Sequence, residues 1–188
     1  MAYVLFISEN KLKDSTAIGG NVDMEFMLPY IKVAQKKYIE TKLGTDLFEA
    51  LQTKITAGSL TGAYQTLVDD YIQDALVHFA FYECLPFLRF KVSNGNIYSK
   101  TSETGTALST EEAQHLREEI RNTAEFYTQR LIDYIKNNTS SYPEYSTSSG
   151  ADITPDSDAY YSGMNVEVDR QRNRGITLDD FLTPDLHI

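Results

Sequence analysis

The sequence predicts an all-α fold: a helical bundle of three to four helices with a small projecting β-hairpin and a long extended C-terminal arm. Three observations carry this. Apolar residues recur at three- and four-residue steps through three long stretches, the period of an amphipathic helix. A single Asn94-Gly95 pair separates two short alternating arms, the strongest two-residue hairpin signal. Beyond Asn137 periodicity stops and polar residues take over. With 188 residues, 41% of them hydrophobic, the chain can bury a core.

Taken in order, Tyr3 to Ile7 is a short apolar run, expected to be extended, and Ser8 to Asn21 is expected to be a loop. From Asp23 to Lys42, Phe26, Met27, Tyr30, Ile31, Ala34, Tyr38 and Ile39 predict the first helix, with Pro29 in its first turns, where a missing N–H matters least. Gly44 should stop it, and Thr45 or Asp46 should cap a second helix running through Ile55 and ended by Gly58. After Thr61 a long helix is expected from Ala63 to Phe90. It is polar on one side at Asp69, Asp70, Gln73 and Asp74 and apolar nearly all round past Leu76, which makes it the central helix. Pro86 should kink or end it. Phe90 to Tyr98 reads as the hairpin, with a plain loop as the alternative. Ser109-Thr-Glu-Glu112 matches a capping box, so a last helix should run to about Lys136 on the stripe Ala113, Leu116, Ile120, Ala124, Tyr127, Leu131, Tyr134 and Ile135.

The charge is strongly acidic, 17 Lys and Arg against 27 Asp and Glu, a net of −10. Nucleic-acid adhesion gains its free energy from clustered cations over phosphates, and an anionic membrane surface repels an acidic chain, so both are poor expectations. Cys84 is the only cysteine and makes no internal disulfide, and Cys-His zinc spacings are absent. The opening residues lack the basic lead and length of a signal peptide, and no run of about 18 apolar residues occurs. A soluble intracellular protein is expected, or a particle assembled inside a cell and later released.

Candidate chemistry is thin. Glu112-x-x-His115 has the spacing of di-iron carboxylate bundles, but those need a second such pair and further glutamates, and the nearest here is Asp74 with His78. Glu112 is already accounted for as a cap. Asp69, Asp70 and Asp74 read more simply as a solvated helix face. Cys84 sits in the most apolar part of the chain with no nearby cation to stabilise a thiolate, so it reads as buried filler. No nucleophile elbow, phosphate loop or dinucleotide fingerprint occurs. The expectation is therefore no enzyme, no metal and no cofactor.

Thirteen tyrosines and nine phenylalanines point instead to contacts, because aromatics with a polar end are favoured at protein interfaces. Several lie outside the helical stripes, among them Tyr98, Tyr142, Tyr145, Tyr160, Tyr161 and Phe181. Past the basic run Arg170, Arg172, Arg174 comes an apolar island, Ile176, Leu178, Phe181, Leu182, Leu186 and Ile188. It reads either as a segment that folds onto a partner or as a tail packed on its own body. The candidate partner-binding residues are Asn94, Gly95, Tyr142, Tyr145, Arg170, Arg172, Arg174, Phe181, Leu182, Leu186 and Ile188. The domain division expected is a helical body over 1–138 and an arm over 139–188. Charge follows that division: the body nets 14 − 18 = −4 and the arm 3 − 9 = −6.

Three stretches carry a resemblance: residues 34–51 (AQKKYIETKLGTDLFEAL), residues 58–64 (GSLTGAY) leading into 76–86 (LVHFAFYECLP), and residues 124–136 (AEFYTQRLIDYIK) with Tyr142-Pro-Glu-Tyr145. Over about residues 25–145 the chain resembles the head-to-tail connector (adaptor) proteins of tailed bacteriophages, as in phages of Bacteroides-type hosts and the crAss-like phage neck. The resemblance implies a virion protein at the neck, assembled in the host cytoplasm. It would form a homo-oligomeric ring, usually of twelve copies, below the portal protein, extend the DNA channel without specific DNA binding, and dock the next neck or tail protein. It implies no catalytic residues and no membrane contact. The matching projections would be the arm from Tyr142 to Ile188 and the hairpin at Asn94-Gly95. The competing expectations are a carboxylate-bridged metal enzyme using Glu112, His115, Asp74 and His78, and a regulatory helical module binding through Ile176–Ile188.

Overall fold

The computed structural model describes residues 3–18, 22, 24–93, 96–99, 109–147, 149–150 and 152–156. The fold is all-helical in its body. The segment expected to be a loop holds a short helix, α1 (Glu9–Asp14), capped by Ser8, whose Oγ accepts from the Lys11 N–H at 3.2 Å. With Leu12 its only buried side chain, α1 has too little apolar periodicity to be seen in the sequence. Before it, the run 3–7 forms no regular element, bends at Phe6 and Ile7, and buries both. Its backbone polar groups need partners away from water, and glutamines supply them. Gln35 Oε1 accepts from the Phe6 N–H at 2.8 Å and Gln35 Nε2 donates to the Val4 carbonyl at 2.8 Å, while Gln73 Nε2 donates to the Phe6 carbonyl at 3.1 Å.

Helix α2 (24–43) comprises Met24–Ala34, a π-helical turn Gln35–Glu40 and a last turn Thr41–Leu43. Helix α3 is Thr45–Thr56. Helix α4 (63–89) comprises Ala63–Leu67, a second π-helical turn Val68–Ile72 and Gln73–Arg89. The π turns have a sequence cause. In α2 the buried residues Met27, Ile31, Gln35, Ile39 and Leu43 recur every four residues, and in α4 Val68, Ile72, Leu76, Ala80 and Cys84 do the same. On a regular helix of 3.6 residues per turn, each four-residue step would rotate the row by roughly 40° away from the core. A wider turn with i→i+5 bonds takes up part of that rotation. Pro86 neither ends α4 nor lies deep in it: the helix runs three residues further, to Arg89, so the proline costs one intrahelical bond near the terminus.

Gly44 breaks α2 from α3 at φ +76°, and the capping residues expected there are used otherwise. Thr45 Oγ1 accepts from the Ile153 N–H at 3.0 Å, and the Asp46 carboxylate accepts from the Ser149 N–H at 2.8 Å. Past α3 the Ser59 N–H reaches the Lys54 carbonyl and the Gly58 N–H the Ile55 carbonyl, the paired bonds of a Schellman stop, so Gly58 ends that helix as expected. Beyond α4, β1 (Phe90–Ser93) pairs antiparallel with β2 (Asn96–Ser99), Val92 opposite Ile97 and Ser93 opposite Asn96. Asn94 and Gly95 lie outside the described residues. Helix α5 (Thr110–Asn137) begins with the expected capping box: Ser109 Oγ accepts from the Glu112 N–H at 3.1 Å, and Glu112 Oε2 accepts from the Ser109 N–H at 2.8 Å.

Helix α4 is central, packing against α2 on one side and α5 on the other, with α1 laid across it and α2. The core they share contains Met27, Ile31, Leu67, Ile72, Leu76, Ala124, Leu131 and Ile135. Among the described residues, no helix is long and apolar enough to cross a membrane.

The body does not end at Asn138. The chain turns through Thr139–Ser141 and a last short helix, α6 (Pro143–Ser146), and packs back along the bundle as far as Asp156. Tyr142, expected to bind a partner, is instead wholly buried: its hydroxyl donates to the Ala63 carbonyl at 2.8 Å and its ring meets Tyr64 edge-on at 5.5 Å. Tyr145 is half-buried against the same core. Further on, the Thr45 N–H donates to the Ile153 carbonyl and the Asp156 N–H to the Thr41 carbonyl, both at 2.9 Å. Pro155 lies where a Cβ on Gly44 would fall, 2.7 Å from its Cγ and Cδ, so Gly44 serves both its own backbone angle and this close approach. The packed body therefore continues past the boundary expected at 138/139, because Tyr142 is buried in it and the backbones of Ser149, Ile153 and Asp156 bond to Asp46, Thr45 and Thr41 on the helices.

Candidate functional site

Where α2, α4 and α5 meet, a cleft of about 360 Å³ is lined by Lys37, Tyr38, Lys42, Phe79, Tyr82 and Arg121, among others. The π turn shapes it. With Ile39 turned into the core, Tyr38 lies toward α4, and its ring stacks face to face on Phe79, centroids 4.0 Å apart and planes within 4°. One turn beyond Phe79, Glu83 Oε1 accepts from the Tyr38 hydroxyl at 2.6 Å and from Lys37 Nζ at 2.8 Å. Burial by itself would raise the Glu83 carboxyl. The hydrogen bonds from Lys37 and Tyr38, with the charges of Lys37 and Arg117, outweigh it and hold the group below its ordinary 4.5. Burial first, and the bond to Glu83 second, push the Tyr38 phenol up to about 12, so it stays a proton donor to Glu83.

Across the cleft, Arg121 Nε donates to Glu125 Oε1 at 2.7 Å, and the Arg117 guanidinium lies 4.1 Å over the Tyr82 ring. At its rim Lys42 Nζ pairs with Asp156 at 2.6 Å. Lys37, Lys42 and Arg121 thus surround an aromatic floor on a chain of net charge −10. Each of these cations is already paired, Lys37 with Glu83, Lys42 with Asp156 and Arg121 with Glu125.

The carboxylate and histidine residues weighed as a metal site are not brought together. Glu112 is engaged at the helix cap. His78 stacks on Tyr127, centroids 5.3 Å apart, and Tyr127 lies about 18 Å further along α5 than the exposed His115. Burial lowers the His78 pKa below its ordinary 6.5 against the opposing charge of Asp74, so the ring is neutral at neutral pH. Among the described residues, no group of three or more His, Cys, Asp or Glu is placed to hold a metal ion. Cys84 is buried, as its surroundings in sequence suggested.

Of the residues expected to bind a partner, Tyr142 and Tyr145 belong to the body, and Asn94, Gly95, Arg170, Arg172, Arg174, Phe181, Leu182, Leu186 and Ile188 lie outside the described residues. The cleft itself was missed. Its only trace in the sequence is the departure of Tyr38 and Ile39 from a 3.6-residue period, which swaps which of them faces inward.

Residues 39–155 match a family of unknown function, DUF6712. The chain belongs to this family. The matched span takes in most of the cleft and the whole return segment from Tyr142 to Pro155, and stops before the remainder of the arm. No curated protein and no solved structure matches the chain.

Proposed function

We propose that this member of the DUF6712 family is a structural virion protein, a head-to-tail connector that forms a ring below the portal, extends the DNA channel and docks the next neck or tail component. The observation that carries the reading is the uneven burial of α5. Its first ten residues, about 15 Å of helix, contribute no buried side chain, and the buried ones begin at Ile120. A length of ordered helix beyond the core offers surface to neighbours instead of chemistry. Exposed apolar side chains add to it. Phe87 is 46% exposed and stacks on Tyr30, which also touches Phe26, while Phe126 on α5 is 50% exposed. Such clusters on a protein surface mark contacts between chains, and unlike surfaces repeating by rotation close into a ring.

In this reading β1 and β2 form a hairpin that closes through a type I′ turn at Asn94-Gly95 and projects from the bundle. The arm beyond Asp156 docks on a partner through Arg170, Arg172, Arg174 and the apolar residues Phe181, Leu182, Leu186 and Ile188. Net negative charge keeps sliding DNA from adhering to the bore. The deciding sample is this protein mixed with its portal protein, viewed by negative stain and native mass spectrometry. A ring of about twelve copies on the portal, twelve being the usual number that the resemblance implies for a closed cyclic assembly, is expected. Protein that stays monomeric beside intact portal would sink the reading. Deleting 165–188 should leave the bundle folded and weaken incorporation; undiminished incorporation would remove the arm's docking role.

A further inference from the structure

We propose that the corner between α2 and α3 is a docking site for a four-residue motif that the chain carries twice, and that Leu182-Thr183-Pro184-Asp185 is its second ligand, exchanging on the body with Ile153-Thr154-Pro155-Asp156. The inference stands without the neck-connector reading, because it concerns which segments of the chain one corner of its own bundle recognises.

The corner shows what it reads. Gly44 separates the two helices, so the last carbonyls of α2 and the first N–H groups of α3 lack partners within their own helices. Residues 153–156 supply them: the Thr45 N–H donates to the Ile153 carbonyl and the Asp156 N–H to the Thr41 carbonyl, both at 2.9 Å, while the Ile153 N–H donates to Thr45 Oγ1 at 3.0 Å. These bonds use the motif's backbone and place no demand on its side chains. Two side chains are read directly. Pro155 enters the notch left by the absent Cβ of Gly44, whose position lies 2.7 Å from the ring's Cγ and Cδ, and Lys42 Nζ pairs with Asp156 at 2.6 Å. A proline suits the third place, since it brings no N–H that needs a partner and holds the residue before it extended.

The tail of the sequence repeats each of these features. Thr-Pro-Asp occurs at 154–156 and again at 183–185 and nowhere else, and an aliphatic residue precedes it both times, Ile153 and Leu182. One chain therefore offers two matching ligands to one seat. Their tethers differ: from the end of α6 at Ser146 the first motif begins 7 residues on and the second 36 residues on. Closure weakens as about the three-halves power of tether length, so the second motif is disfavoured roughly tenfold where the contacts are equal. The first motif accordingly holds the seat, and the second takes it when the first lifts. The consequence is that Phe181 and Leu186, which flank the second motif, are then stored on the α2–α3 side of the body, with residues 157–181 closed into a loop.

The test is redundancy. Amide hydrogen exchange at Thr45 is followed by NMR in the full-length chain carrying Pro155→Ala and Asp156→Ala, in the chain carrying Pro184→Ala and Asp185→Ala, and in the chain carrying all four changes. Loss of the first motif alone should accelerate exchange about tenfold, loss of the second alone should leave it unchanged, and loss of both should accelerate it several-fold further. A second measurement leaves both prolines in place. Because Cys84 is buried, Lys42→Cys with Asp185→Cys should close an intramolecular disulfide on mild oxidation several-fold faster than Lys42→Cys with Asp169→Cys, although position 169 is on the shorter tether. The proposal is overturned if loss of the first motif alone exposes Thr45 as fully as loss of both, if exchange is indifferent to all four changes, or if position 169 cross-links as fast as 185. Disulfides that join two chains instead of closing within one would also overturn it and assign the second motif to another copy.

Discussion

The two ends of α5 are made from one helix and one local sequence style, yet they are held by different forces. From Ile120 onward the helix buries Ile120, Ala124, Thr128, Leu131, Ile132 and Ile135, and Tyr134 stacks on Tyr71 of α4 at 4.0 Å. Its start relies on the Ser109–Glu112 capping box and exposes Leu116. The difference teaches where this protein is body and where it offers surface: burial stabilises the first, while the second rests on its capping box and the stacking of Arg117 over Tyr82. The return segment sharpens the contrast, because it reinforces the buried end, with Tyr142 beneath Tyr64 and Tyr134.

The most severe way to break the buried end is Tyr142→Ala. Removing a fully buried aromatic should lower the unfolding free energy by about 3–5 kcal/mol, measured by urea titration, with partial relief in Tyr142→Phe. An effect no larger than that of a surface substitution would mean the return segment is not part of the cooperative body. Next comes Gly44→Ala, which forces an alanine to φ +76° and sets its Cβ against Pro155. A loss of about 1–3 kcal/mol is expected, together with faster proteolysis between 147 and 156; wild-type stability would show that Pro155 yields freely.

At the opposite end Ser109→Ala removes the cap and should cost about 0.5–1 kcal/mol, with amide exchange accelerated over 110–118 and unchanged over 124–135. Acceleration along the whole helix would erase the distinction between its ends. The gentlest probe is pH. Because Glu83 is held below its ordinary 4.5 in the fold, its contribution is present above that value and is lost as pH falls through the lower, folded-state value. Urea midpoints measured from pH 6 to pH 3 should fall less steeply for Glu83→Gln than for the unmodified protein. Equal slopes would remove Glu83 from the joint where Lys37, Tyr38 and Arg117 converge.

Much of this was legible in the sequence where the controlling interaction is local. The Ser109–Glu112 box, the Gly44 break, the Gly58 stop and the apolar character of α4 past Leu76 all depend on residues within a turn or so of each other. The short α1 escaped because one leucine makes no period. Tyr142 was misassigned for a related reason: it follows a polar, aperiodic run, and nothing near it in sequence announces Ala63 or Tyr64.

The sequence by itself determined that this is a helical bundle, where its long helices run and that its acidity is concentrated toward the C-terminus, since periodicity, capping and charge are written in neighbouring residues. Only the tertiary structure decided which residues meet. The seat of Tyr142, the bonds of Ile153 to Thr45 across 108 positions, and the cleft where Lys37, Tyr82 and Arg121 converge all join segments far apart in the chain. Their free energy comes from mutual burial and paired polar groups, which exist only once the helices have packed.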